Sequence, residues 1–317
     1  MLARMATSWW ARAALTVAIL GWLASRIDMT AAGRAVVSVS PTHLAAVLAL
    51  VAVDRLVMIW RWVLLLRARG VEVAATEAAR VFLVSSFVGS FLPAGIGGDA
   101  ARAWSLAQIT TRAGEALASV VVDRLLGLLS LAAMGLAGVA LWSPGGVSGG
   151  RVAAGVAILT LACAAAFWSD GLLRAAVPAH RHGGAVTRRV LRLADAVAAY
   201  RDHRGALAVV MAWSLAVQVL RITQAWLLGL GLGLQVPFAY YLLVMPLGLL
   251  MLLLPVSVSG FGVPQGVIVW LLRPMGVADS VAFALSTLVV LTGLAGNLPG
   301  LWLWLRRRET AGAAARR

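Results

Sequence analysis

Long blocks of apolar residues, separated by short polar segments, run along most of the 317-residue chain. No charged residue occurs between 222 and 272, and none occurs between 280 and 305. Apolar blocks longer than about 20 residues are typical of helices that cross a bilayer rather than of a soluble core. The pattern therefore predicts an all-α, polytopic integral membrane helical bundle, with about seven or eight transmembrane helices plus one or two re-entrant or broken helices.

The apolar blocks define the expected order of spans and loops. The predicted spans cover residues 13–24, 42–66, 114–142, 152–169, 205–230, 238–254 and 278–305. The first resembles a signal peptide, but the many spans that follow favour an uncleaved helix. Loops 26–41, 143–150 and 231–237 are predicted on the outer side. We expect one membrane domain, 1–317, whose tail at 306–317 is cytoplasmic and is followed by no soluble domain.

One apolar segment, residues 81–98, is broken by proline and glycine and then followed by charge. The residues at the break are Pro93, Gly95, Gly97, Gly98, Asp99 and Arg102. Broken backbone at membrane depth must be buried in protein or line a polar cavity, because lipid cannot bind its free amides and carbonyls. Positive charge on both sides of the segment predicts a re-entrant dip from the cytoplasmic side.

The chemistry of this first break suits an anion. Glycines allow a ligand or another helix to approach the backbone, and a helix that restarts near Gly98 directs its first amides into the break. Asp99 and Arg102 share a helical face at i, i+3 and can pair. We interpret the break as a site for an anionic headgroup; the alternative is a cytoplasmic turn in which Asp99 caps the next helix.

A second break of the same kind follows Pro255. Its glycines and polar side chains are Ser259, Gly260, Gly262, Gln265 and Gly266. Two Gly/Pro-interrupted apolar segments in corresponding positions of two halves indicate the binding site of a transporter. The two breaks also suggest an inverted repeat.

Several ionisable residues fall inside the predicted spans. They are Asp54, Arg55 and Arg61 in 42–66, and Asp123 with Arg124 in 114–142. Ionisable groups at bilayer depth are costly, so they face the bundle interior and pair. Trp60 and Trp62 are interpreted as markers of the headgroup level, to which Arg61 would extend. Structural ion pairs between helices are the alternative.

The span at 205–230 carries a polar row, Gln218, Arg221 and Gln224, on one side of the helix. Such a row lines either a cavity or a helix–helix contact. The full charge of Arg221 favours the cavity.

All 27 basic residues are Arg, and the net charge is +15. Most of them lie in predicted cytoplasmic segments, which is the positive-inside bias and predicts the inner (cytoplasmic) membrane with a cytoplasmic C-terminus. The cytoplasmic segment 170–204 carries an apolar stripe opposite Arg188, Arg189 and Arg192; the stripe consists of Val186, Val190, Leu193 and Val197. It predicts an amphipathic helix on anionic lipid, and because Tyr200 is the only nearby aromatic residue we expect no nucleic-acid partner.

Metal and thiol chemistry have little support in the sequence. The single cysteine, Cys163, excludes an intramolecular disulfide and a thiolate cluster. The four histidines at 43, 180, 182 and 203 have no ligand spacing. We therefore expect no metal and no cofactor.

With these motifs the chain resembles the transmembrane, flippase-like domain of the lysylphosphatidylglycerol synthases. The matching residues are Arg61-Trp62, the stretch from Leu92 to Asp99 with Arg102, Asp123-Arg124, and the break from Pro255 to Gly266. The resemblance covers nearly the whole chain and implies movement of a lipid or its headgroup between leaflets. We expect no cytosolic synthase domain here, so aminoacyl transfer is not implied. One departure is that Pro264 and Gln265 stand where the family usually has a basic residue and a Glu, which argues against a coupling-ion site there.

Three functions compete. The first is a lipid flippase in which an anionic lipid or lipid-linked headgroup contacts the first break, with Gln218 and Arg221 deeper in the cavity. The second is a non-transporting partner subunit of an envelope lipid or glycan enzyme, as a homo-oligomer or in a complex. The third is an integral-membrane lipid transferase. Such chemistry needs clustered carboxylates or a metal, and the twelve acids contain no Asp-x-Asp, so we expect no enzyme.

Overall fold

A computed structural model describes residues 25–92, 96–142, 185–251 and 263–314, together with isolated positions at 21 and between 150 and 165. Several predicted features lie outside these residues: most of the first span, the loop at 143–149, most of the span at 152–169, the stretch 170–184 and the second break at 252–262. Among the candidate site residues, Gly95, Ser259, Gly260 and Gly262 also lie outside the described residues.

The described part of the chain is helical, as predicted, and contains no strand. Its helices are α1 (Met29–Val37), α2 (Pro41–Ala68), α3 (Ala75–Ser90), α4 (Ile96–Ala107), α5 (Ala113–Leu141), α6 (Ala185–Ala198), α7 (Arg204–Gly231), α8 (Phe238–Met251), α9 (Val263–Leu272), α10 (Asp279–Ala295) and α11 (Leu298–Ala314). Short 3₁₀ turns follow α6 and α9.

Four described segments are long and apolar enough to cross a membrane. They are α2, α5, α7 and the consecutive pair α10–α11 over Asp279–Arg306. A shorter apolar helix, Phe238–Leu250 within α8, adds to them. The chain is therefore a multi-pass membrane protein, and the predicted helical bundle is confirmed.

Helix α2 is the centre of the bundle and packs along α7, α5, α3 and α10. It begins with Pro41 in its first turn, where the missing amide costs nothing, and it ends before Gly70, whose φ of 62° stops the helix. Contacts of Asp54 with Arg221 and of Arg61 with Ser214 show that α2 and α7 are antiparallel.

Contacts of α2 with α5 fix the common orientation of the long helices. Trp62 contacts Ser119 and Arg61 contacts Asp123, so α2 is antiparallel to α5 as well. The ends of α2, α5 and α7 at Ala68, Ala113 and Arg204 therefore face the same way. We call this the basic end, since Arg67, Arg69, Arg112, Arg201 and Arg204 lie there.

Helices α3 and α4 form a hairpin around the first break. At about 1.5 Å per residue they measure roughly 24 Å and 18 Å, too short to span the roughly 30 Å of hydrocarbon. They cross at two glycines, because a Cβ on Gly89 would lie 2.5 Å from the Cα of Gly98. The hairpin is thus the short, broken element that the glycine pattern predicts, and small residues allow its two backbones to touch.

Two expected segments differ from the structure. The loop predicted at 26–41 contains α1, whose N-terminus is capped by the side chain of Asp28 through the amides of Thr30 and Ala31. The predicted last span is interrupted at Gly296 and Asn297, between α10 and α11. The sequence analysis missed both, because an N-cap and a two-residue interruption change hydropathy very little.

The interruption between α10 and α11 is tied to the rest of the bundle by side chains. The guanidinium of Arg55 donates to the carbonyl of Gly293 at 3.2 Å, near the C-terminus of α10. The side-chain amide of Asn297 donates to the hydroxyl of Ser90, at the end of α3, at 2.8 Å. A free helix-terminal carbonyl and a positive side chain attract each other, so Arg55 stabilises this helix end.

The amphipathic helix predicted in 170–204 is present as α6, but its apolar stripe is not left to lipid alone. Val197 is buried and Leu193 packs with it against α5, α2 and α7. Val190 remains exposed. Tyr200, in the turn after α6, is fully buried and donates to the carbonyl of Leu65 at 3.1 Å, which holds α6 against the bundle.

We expect Gly89→Ala to destabilise the α3–α4 hairpin. The new Cβ would overlap the backbone of Gly98, and backbone cannot move away as a flexible side chain can. Overpacking of this kind costs about 1–3 kcal/mol. Thermal unfolding of the purified protein in detergent measures the effect. Gly114→Ala is the matched control, because nothing lies within 4 Å of its Cβ, and an equal loss in both variants would contradict the prediction.

Candidate functional site

Five charged residues meet where α4 of the hairpin packs near α2 and α5. We call them the Asp123 cluster: Arg61, Asp99, Arg102, Asp123 and Arg124. Asp123 of α5 is paired with two arginines, with Arg61 Nε at 2.8 Å and Arg102 Nη1 at 3.2 Å. Asp99 lies farther from its partners, at 3.5 Å from Arg102 Nη2 and 3.6 Å from Arg124 Nη1. The cluster therefore links α2, α4 and α5.

The hairpin positions Arg102 through aromatic rings as well as charge. Its guanidinium carbon lies 4.3 Å from the ring centroid of Phe82 and 5.3 Å from that of Trp62. A cation over aromatic faces is attracted by their electrons, and more strongly where water is excluded. Arg102 is therefore held between α3, α2 and Asp123, whereas the side-chain contacts of Asp99 with described residues are its two long ones, to Arg102 and Arg124.

A second group, the Asp54 cluster, consists of Asp54, Arg55 and Arg221. Asp54 lies 3.1 Å from Arg221 Nε and 3.4 Å from Arg55 Nη1. The sulfur of Met58 accepts a hydrogen bond from Arg221 Nη2 at 2.9 Å, and Arg55 Nη1, the nitrogen that also contacts Asp54, lies 3.7 Å from it. The cluster joins the centre of α2 to α7, and Arg55 extends it to α10.

The two clusters lie at different depths along α2. Asp54 is near the middle of the helix, roughly 20 Å from either end at 1.5 Å per residue, whereas Arg61 is roughly 11 Å from the basic end. Met58 lies between them on the same face, at i+4 from Asp54. The bundle thus carries charge in two layers, one near the basic end and one near mid-membrane.

Polar side chains of α7 contact α2 and α5 beside the two layers. Ser214 accepts a hydrogen bond from Arg61 Nη1 at 2.9 Å. Gln218 donates to the carbonyl of Gly127 at 3.3 Å and to Ser130 Oγ at 3.2 Å. Gln218 therefore forms a helix–helix contact with α5. Gln218 is buried, whereas the side chain of Arg221 is 28% exposed.

Exposure separates the charged residues into a buried frame and an accessible set. The side chains of Arg61 and Asp123 are 4% and 6% exposed, and those of Asp54 and Arg102 are similarly buried. Arg124 is 39% exposed and Asp99 is 21% exposed. A ligand can therefore reach Arg124, Asp99 and Arg221, while the other charges hold them in place.

Positive charge exceeds negative charge in these two clusters. They contain five arginines and three aspartates among the described residues. The apolar stretches outside the described residues, 13–24, 152–169 and 252–262, contain no acid in their sequence. Arginine stays protonated in proteins, so the excess cannot be removed by loss of a proton.

The excess of guanidinium, whose accessible members are Arg124 and Arg221, is suited to binding an anion. Guanidinium offers a planar set of donors that matches phosphate and carboxylate oxygens. Among the described residues no group of three or more His, Cys, Asp or Glu could hold a metal ion. The arrangement can bind and compensate a phosphate or carboxylate group at membrane depth.

The structure brings together most of the residues that the sequence analysis selected. Asp99 and Arg102 share a helical face and approach each other, and Asp54, Arg61, Asp123, Arg124 and Arg221 join them in the two clusters. Gly97 and Gly98 lie in the first turn of α4 beside Asp99. Gln265 is fully buried in the first turn of α9, which packs against α8 and α10.

Three interpretations from sequence are corrected. Trp62 does not mark the headgroup level, because it is fully buried and donates to Ser119 Oγ at 3.2 Å. Arg61 does not extend toward the membrane surface, because its guanidinium is paired with Asp123 inside the bundle. Gln218 does not line a cavity, because its amide is engaged with α5. In each case a partner on another helix outweighs the tendency of the isolated side chain.

Four residues of the site were missed as site residues. Ser214 precedes Gln218 by one helical turn, so extension of the polar row of α7 could have found it. Arg55 is adjacent to Asp54 and was noted only as a charge in the span. Phe82 and Met58 carry no signal in the sequence, because apolar residues are common at every position of a span.

We expect Asp123→Asn to destabilise the protein strongly. The variant leaves buried Arg61 without its carboxylate partner and leaves Arg102 with only the more distant Asp99. Breaking a buried pair in this way costs about 3–5 kcal/mol. Thermal unfolding and the yield of folded protein in detergent measure it. Asp279→Asn is the matched control, because its partner Arg273 is exposed; similar losses in both variants would contradict a special role for the cluster.

Comparison with known proteins identifies one family. The model of the family described as the lysylphosphatidylglycerol synthase TM region matches residues 9–300, which is nearly the whole chain. The suspected resemblance is thereby confirmed. No curated protein matches the chain.

Proposed function

Because the chain belongs to the family of lysylphosphatidylglycerol synthase transmembrane regions, we propose that it binds an anionic lipid or lipid-linked headgroup and moves it between the two leaflets. The family is a membrane domain associated with lipid or envelope biosynthesis and with flippase-like roles. The proposed path runs along the axis of α2, between the basic end and the middle of the membrane. Movement of the lipid in either direction along this path is consistent with the proposal.

The observation that carries the proposal is the excess of arginine over aspartate in the two clusters, together with the accessibility of Arg124 and Arg221. Leaving net positive charge in hydrocarbon is costly, and an anionic headgroup compensates it. The three accessible members, Arg124, Asp99 and Arg221, lie in the two different layers. A phosphate that contacts Arg124 in the first layer and Arg221 in the second would have a charged partner at each depth, which lowers the barrier to crossing.

The proposal includes three statements about the protein's setting. The basic end faces the cytoplasm, because positive residues are retained there during insertion. The protein resides in the inner membrane, with Arg306, Arg307 and Arg308 on the cytoplasmic side. The chain acts as a transporter and not as an enzyme, a proposal supported by the three aspartates of the two clusters, which contact arginines rather than each other.

Transport can be tested with purified protein in vesicles of phosphatidylcholine with a trace of fluorescent phosphatidylglycerol. A membrane-impermeant reductant quenches only the outer leaflet, so the rate of further quenching reports movement between leaflets. We expect Arg221→Gln to slow phosphatidylglycerol movement about tenfold or more, because a hydrogen bond to a charged group contributes about 1.5–3 kcal/mol. Arg124→Gln should act in the same direction.

Arg273→Gln is the control for this experiment. It removes the same charge, but from an exposed pair outside both clusters, so the rate should equal that of the wild type. Fluorescent phosphatidylcholine should move more slowly than phosphatidylglycerol in every case. Equal rates for wild type, all variants and protein-free vesicles would refute transport and would favour a non-transporting partner subunit, for which the buried ion pairs serve only to fix helix packing.

The cytoplasmic orientation is tested separately by fusing reporters to the C-terminus. A fused cytoplasmic fluorescent protein should be active, and a fused periplasmic phosphatase should be inactive. The opposite result would invert the assignment of the basic end and the predicted side from which a headgroup enters.

A further inference from the structure

Asp99 is held differently from the other acids of the site. Asp123 and Asp54 each approach an arginine closely, with nearest nitrogen–oxygen distances of 2.8 Å and 3.1 Å. Asp99 reaches Arg102 at 3.5 Å and Arg124 at 3.6 Å, distances beyond a normal charge-assisted hydrogen bond. Its carboxylate therefore lies between two guanidinium groups without being firmly bonded to either.

The two arginines beside Asp99 are not equivalent. Arg102 already has a closer carboxylate in Asp123 and is packed against Phe82 and Trp62. Arg124 has Asp99 as its ion-pair partner and is the most exposed arginine of the cluster. A ligand that approaches from the accessible side meets Arg124 together with the weakly held carboxylate of Asp99.

The backbone next to Asp99 packs closely against α3. A Cβ placed on Gly98, the preceding residue, would lie 3.1 Å from the carbonyl oxygen of Ser85 and 3.3 Å from the Cα of Gly89. The first turn of α4 is therefore held against α3. Rotation of the Asp99 side chain can vacate the space between the arginines without moving the hairpin.

We propose that the carboxylate of Asp99 is a resident anion that occupies the position of a lipid phosphate and is displaced from Arg124 when the phosphate binds. Asp99 is then a competitor of the ligand rather than one of its contacts. In the empty protein it reduces the net positive charge of the cluster, and in the bound protein the phosphate does so. This competition keeps affinity low enough for release, which a carrier needs as much as binding.

The inference rests on the proposed function and specifies how that site is regulated, and it predicts an unusual sign for a mutation. Removing a charged residue from a binding site normally weakens binding. Here Asp99→Asn removes the competitor and leaves both arginines in place. We expect phosphatidylglycerol to bind about two- to fivefold more tightly, the range that corresponds to loss of a partly exposed ion pair.

Native mass spectrometry of the full chain in neutral detergent, titrated with phosphatidylglycerol, measures this affinity. Asp99→Asn should shift the titration to lower lipid concentration, and Arg124→Gln should shift it to higher concentration. The double variant should lose the gain, because the vacated position then lacks its accessible arginine. Titration with phosphatidylcholine should show no change, because its choline cation cancels the charge of the phosphate.

Asp279→Asn is the matched control, since it makes the same substitution and the same change in net charge at an exposed pair. An equal gain in this control would overturn the proposal, because the effect would then come from overall charge. Weaker or unchanged binding in Asp99→Asn would overturn it as well. Thermal unfolding of lipid-free Asp99→Asn should remain close to the wild type, which separates competition from misfolding; unfolded Asp99→Asn would make Asp99 a structural residue and would also overturn the proposal.

A separate titration with inorganic phosphate distinguishes a lipid from a free anion. Displacement of phosphatidylglycerol by millimolar phosphate in Asp99→Asn would support recognition of the phosphate group itself. Tighter binding of inorganic phosphate with no change for the lipid would overturn the assignment to a lipid. The vesicle assay is independent of both: a chain that shows the gain in binding but moves no lipid refutes transport alone, whereas a chain that moves lipid without the gain refutes only the competition.

Discussion

The structure depends on the rule that charge inside a membrane must be compensated by the protein itself. Asp123 meets this requirement for two arginines at once, Arg61 on α2 and Arg102 on α4. Because neither water nor lipid offers a replacement partner, the three helices can adopt only arrangements that keep these groups together. A single carboxylate therefore fixes the position of the α3–α4 hairpin against the two long helices that it contacts.

Buried ion pairs are seldom the most stable solution, since apolar residues of similar volume often replace them without loss. Their presence here is better explained by what they position. Arg61, Asp123 and Arg102 form a buried frame, and Asp99 and Arg124 stand on its accessible side. Apolar residues could pack these helices at a lower cost in free energy. The buried frame does something that they cannot, because it holds the weakly paired Arg124 in position within the bundle.

The α3–α4 hairpin and the interruption between α10 and α11 contact the same region of the bundle. Asn297, between α10 and α11, donates to Ser90 at the end of α3, and Arg55 reaches the carbonyl of Gly293 while it contacts Asp54. Broken helices expose backbone groups, and polar side chains from neighbouring helices satisfy them. The interruption of α10–α11 is thus linked to both the hairpin and the Asp54 cluster.

The sequence by itself determined the class of protein and, within one or two residues, the bounds of the three longest helices α2, α5 and α7, because hydropathy acts locally on the chain. It also selected most of the charged residues of the site, since an ionisable group in an apolar span is conspicuous wherever it pairs. Only the tertiary structure decided the partners: Arg61 joins Asp123 and not the membrane surface, Gln218 contacts α5, and Asp99 is held loosely. Those outcomes depend on which helices become neighbours and on differences of less than 1 Å between ion-pair distances. Neither is encoded in the spacing of residues along a single helix.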